Sequence, residues 1–301
     1  MMQALVLLVL VIVFLLYSAV TLYIGRLLVY NDVKKRRVPS AEKLDGYSYE
    51  EIEFENPDDG ITLRGWFVKA QQNSESKGRT VVLLHGWRRD RLRLLGHIKL
   101  FVDCGFHVLA YDQRAHGASD TALITFGDGE ARDLFSALSF LDTRPEVDPK
   151  RIGALGFSQG TGGIVYAVGR SEKRLFRAIV LEGVFGNSFE VGRYLLERKF
   201  GRINSLLIGY LIFTVGSQIM SFGKFRHSEP ARFAGSISPT PLLIVRGTKD
   251  HMVSEENARA FIEAAGDPKE LWEHDGHHTR ALSNHPEDYR EHVVGFLEKE
   301  L

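Results

Sequence analysis

The sequence predicts an α/β protein with a mainly parallel sheet and helices on both of its faces, preceded by one transmembrane helix. Along most of the chain, short apolar runs alternate with amphipathic helical stretches, which is typical of βαβ units. The first segment differs, because residues 5–24 form an unbroken run without a charged side chain. About twenty helical residues rise about 30 Å, which matches the hydrocarbon thickness of a bilayer.

The apolar N-terminal run has two interpretations, a membrane anchor and a cleaved signal peptide. A signal peptide carries positive charge before its apolar core and small residues at a cleavage site, and the run has neither in clear form. We therefore expect an anchor over residues 1–30 and a basic linker over residues 31–47. Near its start the linker carries a cluster of cations, Lys34, Lys35, Arg36 and Arg37. By the positive-inside rule this cluster predicts a single-pass protein with the domain that follows it on the cytoplasmic side.

The bulk composition restricts the classes of function. Lys and Arg number 38, as do Asp and Glu, so the chain has no net charge that would attract nucleic acid. With 44% hydrophobic and 25% charged residues, the composition is that of a globular domain. Cys104 is the single cysteine, so the fold depends on its core and not on an internal disulfide.

The predicted domain, residues 48–301, begins with a hairpin and continues as alternating strands and helices. Pro57 and Gly60 lie in the polar turn of the hairpin, where proline presets φ and glycine supplies a positive φ. Strands are predicted at 49–54, 61–68, 80–84, 107–111, 151–157, 178–181, 242–246 and 270–273. Helices are predicted at 91–102 and 128–141, between Ser254 and Gly266, and at 286–297.

One long stretch breaks the alternation, between the strand that ends near Glu182 and the strand at 242–246. Its uncharged run, residues 203–222, is long enough for a second membrane span, but a span there would separate two strands of the sheet. We expect an inserted helical cap at about residues 187–236. Its apolar side chains would line a substrate pocket, touch the bilayer surface or simply pack on the body of the domain.

Residues 156–160 read G-x-S-x-G, with Ser158 at the centre, where a predicted strand becomes a helix. A sharp strand-to-helix turn requires small residues on both sides of the serine and raises its hydroxyl out of the sheet. The helix N-terminus behind it favours negative charge. The alternative is a glycine-rich turn with an idle serine, but the flanking strand and helix favour Ser158 as a nucleophile.

A serine hydroxyl needs a base to take its proton and an acid to orient that base. In folds with this turn, the chain order is serine, then aspartate or glutamate, then histidine. Asp250 follows the strand 242–246 at its carboxyl end, where ligands gather in parallel sheets. We predict Asp250 as the acid, with Glu182, just past another strand, as the reserve candidate.

Two adjacent histidines, His277 and His278, follow the strand 270–273, and only one of them can face the nucleophile. We expect His278 to be the base and keep His277 as a reserve candidate. With His274 and Asp275, the two histidines also suit a zinc site. That reading leaves G-x-S-x-G unexplained and lacks an H-E-x-x-H helix, so we expect no metal and no cofactor.

The loop directly after the strand 80–84 is the second part of the predicted site. The oxyanion of an acyl-transfer intermediate needs backbone N–H donors, which we assign to Trp87 in this loop and to Gln159 after the serine. The same loop carries four arginines, Arg88, Arg89, Arg91 and Arg93. They either favour an acidic substrate or an anionic lipid, or they form a solvated face.

Residues 111–119 read Y-D-Q-R-A-H-G-A-S and resemble the D-x-R-G-x-G-x-S segment of α/β-hydrolases. With the G-x-S-x-G turn, the loop at Asp250 and the final helix, the resemblance covers residues 49–301. The sequence is similar to the branch of single-domain serine esterases, lipases, thioesterases and aminopeptidase-like enzymes. This resemblance implies a triad of Ser158, Asp250 and His278 and no cofactor. Two positions depart from the pattern, since Ala115 and His277 stand where glycine is usual.

The predicted function is therefore a membrane-anchored serine hydrolase. Its expected substrate is a small-molecule or lipid ester or thioester, cleaved through an acyl-serine intermediate. One alternative is an aminopeptidase-like serine peptidase. A second is a catalytically silent hydrolase fold that serves as a membrane scaffold, because a fold alone does not establish activity.

Overall fold

A computed structural model describes residues 2–30, 44–71, 78–201, 216–221 and 228–301. The basic cluster at 34–37 and most of the apolar run at 203–222 lie outside the described residues. The described strands are β1 (Tyr49–Asn56), β2 (Ile61–Val68), β3 (Thr80–Leu84), β4 (His107–Tyr111), β5 (Ile152–Phe157), β6 (Ala178–Glu182), β7 (Leu242–Gly247) and β8 (Lys269–His274). They form one sheet in the order β1-β2-β4-β3-β5-β6-β7-β8.

The helices of the described residues follow the predicted alternation. They are α1 (Met2–Val29), α2 (Leu95–Asp103), α3 (Asp128–Asp142), α4 (Gln159–Arg170), α5 (Ser188–Phe200), α6 (Ser217–Met220), α7 (Glu255–Ala264), α8 (Ala281–Asn284), α9 (Pro286–Tyr289) and α10 (Gly295–Glu300). A 3₁₀ turn, Arg91–Leu94, precedes α2, and another, Pro230–Ile237, precedes β7. A π-helical stretch, Arg290–Val294, joins α9 to α10, where the sequence predicted one regular helix.

The predicted α/β fold with a mainly parallel sheet is confirmed. Only the pairs β1–β2 and β2–β4 are antiparallel, and the other described pairs are parallel. Every residue of β3 is buried, because its side chains alternate between two hydrophobic layers. Val82 and Leu84 pack with α3, α4 and α7, whereas Val81 and Leu83 pack with α2 and the C-terminal helices.

The segment 112–119, which carries the family-like motif, is fixed by buried ion pairs. The Arg91 side chain donates to Asp112 at 3.0 Å, and Arg114 contacts Asp133 at 2.8 Å. Ala115 adopts a left-handed φ of 59°, which explains why glycine is usual at this position. Arg91 is therefore structural and does not belong to the solvated face considered from the sequence.

The N-terminal helix α1 leaves the body of the protein as an exposed apolar rod. Within the described residues it is the one helix long and apolar enough to cross a bilayer, over Met2–Tyr23 with a mean hydropathy of 3.0. Helices of this kind occur both in membrane anchors and in signal sequences.

The C-terminal part of α1 packs on the domain through a stripe with four-residue spacing. Thr21, Gly25 and Val29 are buried on this stripe. A Cβ atom added to Gly25 would lie 2.3 Å from the backbone of Gly216 beside α6, so the two backbones touch. The N–H of Ile124 also donates to the Val29 carbonyl at 2.9 Å. The apolar rod is thus attached directly to the segment between β6 and β7.

Candidate active site

Ser158 lies at the sharp turn between β5 and α4. Its φ of 50° is in the left-handed region, a strained conformation for a residue with a side chain. A Cβ on Gly160 would lie 2.4 Å from the Leu84 carbonyl oxygen, and one on Gly156 would lie 2.8 Å from the Gly160 backbone. Both glycines of the motif are therefore required for the turn, which leaves the Ser158 side chain half-buried on the wall of a cavity.

Asp250 and His278 form a close pair, and His278 lines the same cavity. The distance from Asp250 Oδ2 to His278 Nδ1 is 2.6 Å, and the side chains are only 6% and 10% exposed. Burial favours a higher pKa for Asp250, but the hydrogen bond and charge of His278, with the N–H groups of Val253 and Met252, lower its pKa overall. Asp250 is thus an ionised acceptor, and with Nδ1 occupied, Nε2 is the nitrogen of His278 left for the cavity.

His277, the reserve base, is held in a different direction. Its Nδ1 lies 2.9 Å from the Lys249 carbonyl oxygen, and its ring faces that of His251 with 5.5 Å between centroids. His277 is exposed and does not line the cavity. The structure therefore brings His278, and not its neighbour, to the aspartate.

Glu182, the reserve acid, is fully buried behind the turn. Its Oε1 accepts a hydrogen bond from the Ala281 N–H at 3.0 Å, and its backbone carbonyl accepts from the Ser158 N–H at 2.9 Å. Burial raises the pKa of Glu182 to about 7, although the Ala281 N–H and the charge of Arg93 act in the opposite direction. Its carboxyl group supports the loop that follows His278 and makes no hydrogen bond to that ring.

The two predicted oxyanion donors belong to residues close to Ser158. Gln159 is the first residue of α4, and Trp87 follows Gly86, at which an added Cβ would be 3.4 Å from Ser158 Cβ. Among the described residues, no hydrogen-bond acceptor contacts the backbone N–H of Trp87 or that of Gln159. The Gln159 side chain is held by Glu130 at 3.0 Å. Two unengaged amides beside a strained serine can stabilise a negatively charged oxygen.

The cavity has a volume of about 590 Å³ and a largely apolar wall. Phe126, Phe157, Phe185 and Leu195 contribute to this wall. The volume lies within the range of small-molecule sites.

Residues with strained backbone conformations are concentrated around this cavity, and the sequence analysis did not predict them. Arg88, Phe126, Ser158 and Thr279 all have positive φ values, between 49° and 57°. Non-glycine residues in this region are uncommon and tend to occur at functional sites.

The alternative zinc site gains no support from the geometry of the described residues. Within them, no three His, Cys, Asp or Glu side chains are arranged to hold a metal ion. Asp275 pairs with Lys249 at 2.7 Å, and the His274 ring is buried between the rings of Trp272 and His285.

Comparison with known proteins gives consistent matches over the described fold. Residues 81–292 match the Alpha/beta hydrolase family. The uncharacterized protein YfhR of Escherichia coli (strain K12) is 26% identical over 256 residues, which cover 84% of this chain and 82% of that protein. The polyketide transferase ATR5 of Stachybotrys chlorohalonatus is 25% identical over 295 residues, covering 84% of this chain and 97% of that protein. A structure of the Pyrococcus furiosus esterase Pf2001 is 28% identical, with a TM-score of 0.70 and coverage of 90% and 98% of the two chains.

Proposed function

Because the chain belongs to the alpha/beta hydrolase family, we propose that it is a membrane-anchored serine hydrolase that cleaves a carboxylic ester or thioester. The observation that carries this proposal is the common cavity of Ser158 and His278, with Asp250 hydrogen-bonded to the far side of the imidazole. The similarity to an esterase supports hydrolysis of an ester, and the apolar wall supports an acyl chain as part of the substrate.

The proposed reaction proceeds in two half-reactions. Ser158 Oγ attacks the carbonyl carbon while His278 Nε2 takes the hydroxyl proton, and the carbonyl oxygen becomes an oxyanion beside the N–H groups of Trp87 and Gln159. The imidazolium then gives its proton to the departing alcohol or thiol, which leaves an acyl-serine. A water molecule, deprotonated by His278, attacks this ester and releases the acid, and the proton returns to Ser158. Asp250 holds the imidazole and stabilises its charged form.

The anchor is the second part of the proposal. The exposed apolar rod of α1 would cross the bilayer, and its buried stripe of Thr21, Gly25 and Val29 would keep the catalytic domain close to the membrane surface. The basic cluster at 34–37 supports a cytoplasmic position for that domain by the positive-inside rule. Membrane fractionation and protease protection of the full chain test this topology. Release of the protein by carbonate washing, or digestion of the domain from outside the cell, would contradict it.

The hydrolase proposal is tested with para-nitrophenyl esters and the full chain in non-ionic detergent. The wild type should release a rapid burst of nitrophenolate, at most one per protein, if formation of the acyl-serine is faster than its hydrolysis, followed by steady turnover. Ser158→Ala should lose both burst and turnover, whereas the matched variant Ser283→Ala, which removes another hydroxyl from the cavity wall, should keep them. Full turnover by a folded Ser158→Ala variant would refute the proposal.

The same preparation separates the alternatives. A serine peptidase of the aminopeptidase type would release para-nitroaniline from aminoacyl amides faster than it cleaves esters of similar size. A silent scaffold would cleave neither series. Faster ester cleavage is the result that the proposal predicts.

A further inference from the structure

Three arginines on the cavity wall have no acidic partner within the part of the chain that the structure describes. Arg89 and Arg93 come from the loop and turn after β3, and Arg280 follows His278 by two residues. Among the described residues that line the cavity, none is aspartate or glutamate. None of the three arginines makes an ion pair with a described carboxylate. Arg91, from the same turn, is the contrast, because it is buried and paired with Asp112 at 3.0 Å.

Arg93 lies close enough to Arg280 and Arg89 for their charges to act on it. Partial burial, followed by the charges of Arg280 and Arg89, lowers the pKa of Arg93, and Glu182 opposes this effect. Glu182 supplies little compensating charge, because burial raises its own pKa to about 7. The three arginines also outnumber Asp250, the ionised carboxylate beside His278, so the described wall has a positive potential that a bound anion would relieve.

The remainder of the wall is apolar and includes Phe126, Phe185, Val191 and Leu195. A ligand that satisfies both parts of the wall has an apolar chain and an anionic group in one molecule. Guanidinium groups present several N–H donors in a plane and therefore favour the paired oxygens of carboxylates and phosphates over neutral polar groups.

On the basis of the proposed hydrolase activity, we infer that the substrate is an ester with an apolar chain and an anionic oxygen group, and that Arg89, Arg93 and Arg280 bind this group. These arginines determine specificity and take no part in bond cleavage. The anionic group belongs either to the acyl part of the ester or to its alcohol part, and two substrate pairs distinguish these positions.

Each substrate pair differs only in charge. For the acyl side, mono-para-nitrophenyl adipate is compared with the para-nitrophenyl ester of adipic acid monoamide. For the alcohol side, para-carboxyphenyl hexanoate is compared with para-carbamoylphenyl hexanoate. The readout is the ratio of kcat/KM between the anionic and the neutral ester, measured on the full chain in non-ionic detergent. In the pair whose charge reaches the arginines, we expect a ratio of about ten, which corresponds to about 1.4 kcal/mol.

Variants of Arg93 test whether the arginines are the cause of this ratio. Arg93→Gln should lower the ratio severalfold, and Arg93→Glu should lower it further, towards one, because the summed charge of the three positions falls while Arg89 and Arg280 remain positive. The control is Arg232→Gln, which removes the same charge from an exposed side chain away from the cavity and should leave the ratio unchanged. Added salt should also lower the wild-type ratio, because the three arginines are exposed and their charges are therefore screened.

The result that would overturn the inference is a ratio near one in both pairs, or a ratio that is the same in the wild type, Arg93→Gln and Arg93→Glu. Thermal unfolding shows whether each variant is folded. If neutral esters are cleaved through Ser158 but the ratio does not respond to Arg93, the specificity inference alone fails. If neither pair is cleaved by the folded wild type, the proposed function fails as well.

Discussion

Replacing Glu182 by glutamine tests whether its buried carboxyl group is structural or is the catalytic acid of the site. The substitution preserves shape and retains an oxygen that can accept the Ala281 N–H, while it removes the ionisable group. Because Asp250, and not Glu182, contacts His278, kcat/KM of Glu182→Gln should remain within about threefold of the wild type. Loss of the acid of a triad lowers kcat by about 10⁴-fold.

The effect of this substitution on stability depends on pH. The pKa of Glu182 is raised from 4.5 to about 7 in the folded protein. As the pH rises from 4.5 to about 7, the unfolded chain releases this proton and the folded chain retains it, so the free energy of unfolding falls. At 1.36 kcal/mol per pH unit, the loss is about 3 kcal/mol by about pH 7, and it is constant above that. The free energy of unfolding of Glu182→Gln should not fall in this way, because the glutamine side chain does not titrate.

Urea unfolding of the full chain in detergent, followed by tryptophan fluorescence, measures the difference. Relative to the wild type, Glu182→Gln should gain about 3 kcal/mol in its free energy of unfolding between about pH 4 and about pH 8. The reasoning is refuted if the difference between the two proteins is the same at both pH values. A loss of activity as large as that expected for a triad acid would refute the assignment of Asp250.

Further predictions concern the base, its orienting acid and the anchor. Asp250→Asn should lower kcat by about 10⁴-fold in para-nitrophenyl ester hydrolysis, because an asparagine favours the wrong imidazole tautomer, and near-normal turnover would contradict the assignment. His278→Ala should abolish turnover while His277→Ala retains most of it, and the reverse order would move the base by one residue. Gly25→Leu should lower the free energy of unfolding by about 1–3 kcal/mol through overpacking against the adjacent backbone, whereas Ala19→Leu, on the exposed face of α1, should not.

The sheet and the nucleophile turn were predictable because their signals are local. Predicted strand limits lie within two residues of those observed, since apolar runs bounded by polar loops specify where burial begins and ends. Ser158 was predictable because Gly156 and Gly160 meet backbone or side-chain atoms where any Cβ would clash. The usual glycine at Ala115 corresponds to a left-handed φ that alanine also adopts here.

The choice between His277 and His278 could not be made from the sequence. The two rings diverge because one is bonded to the Lys249 carbonyl and the other to Asp250, both in the loop after β7. This difference depends on how that loop meets the loop after β8, which no short window of residues specifies.

The arginines illustrate the same limit. Arg89 and Arg93 were visible as part of a basic loop, but Arg91 in that loop is buried against Asp112. Arg280 lies far away in the sequence and joins the other two only through the fold. The sequence offered the same alternatives for all four arginines of the loop, whereas the structure buries Arg91 and leaves Arg89 and Arg93 exposed.

Covalent labelling of Ser158 tests the central claim most directly. Membranes that contain the full chain are treated with a fluorophosphonate, and the digested protein is analysed by mass spectrometry. We predict one phosphonyl adduct, on the peptide that contains Ser158, and no adduct on folded Ser158→Ala. An adduct on another residue, or labelling that persists in Ser158→Ala, would contradict the account.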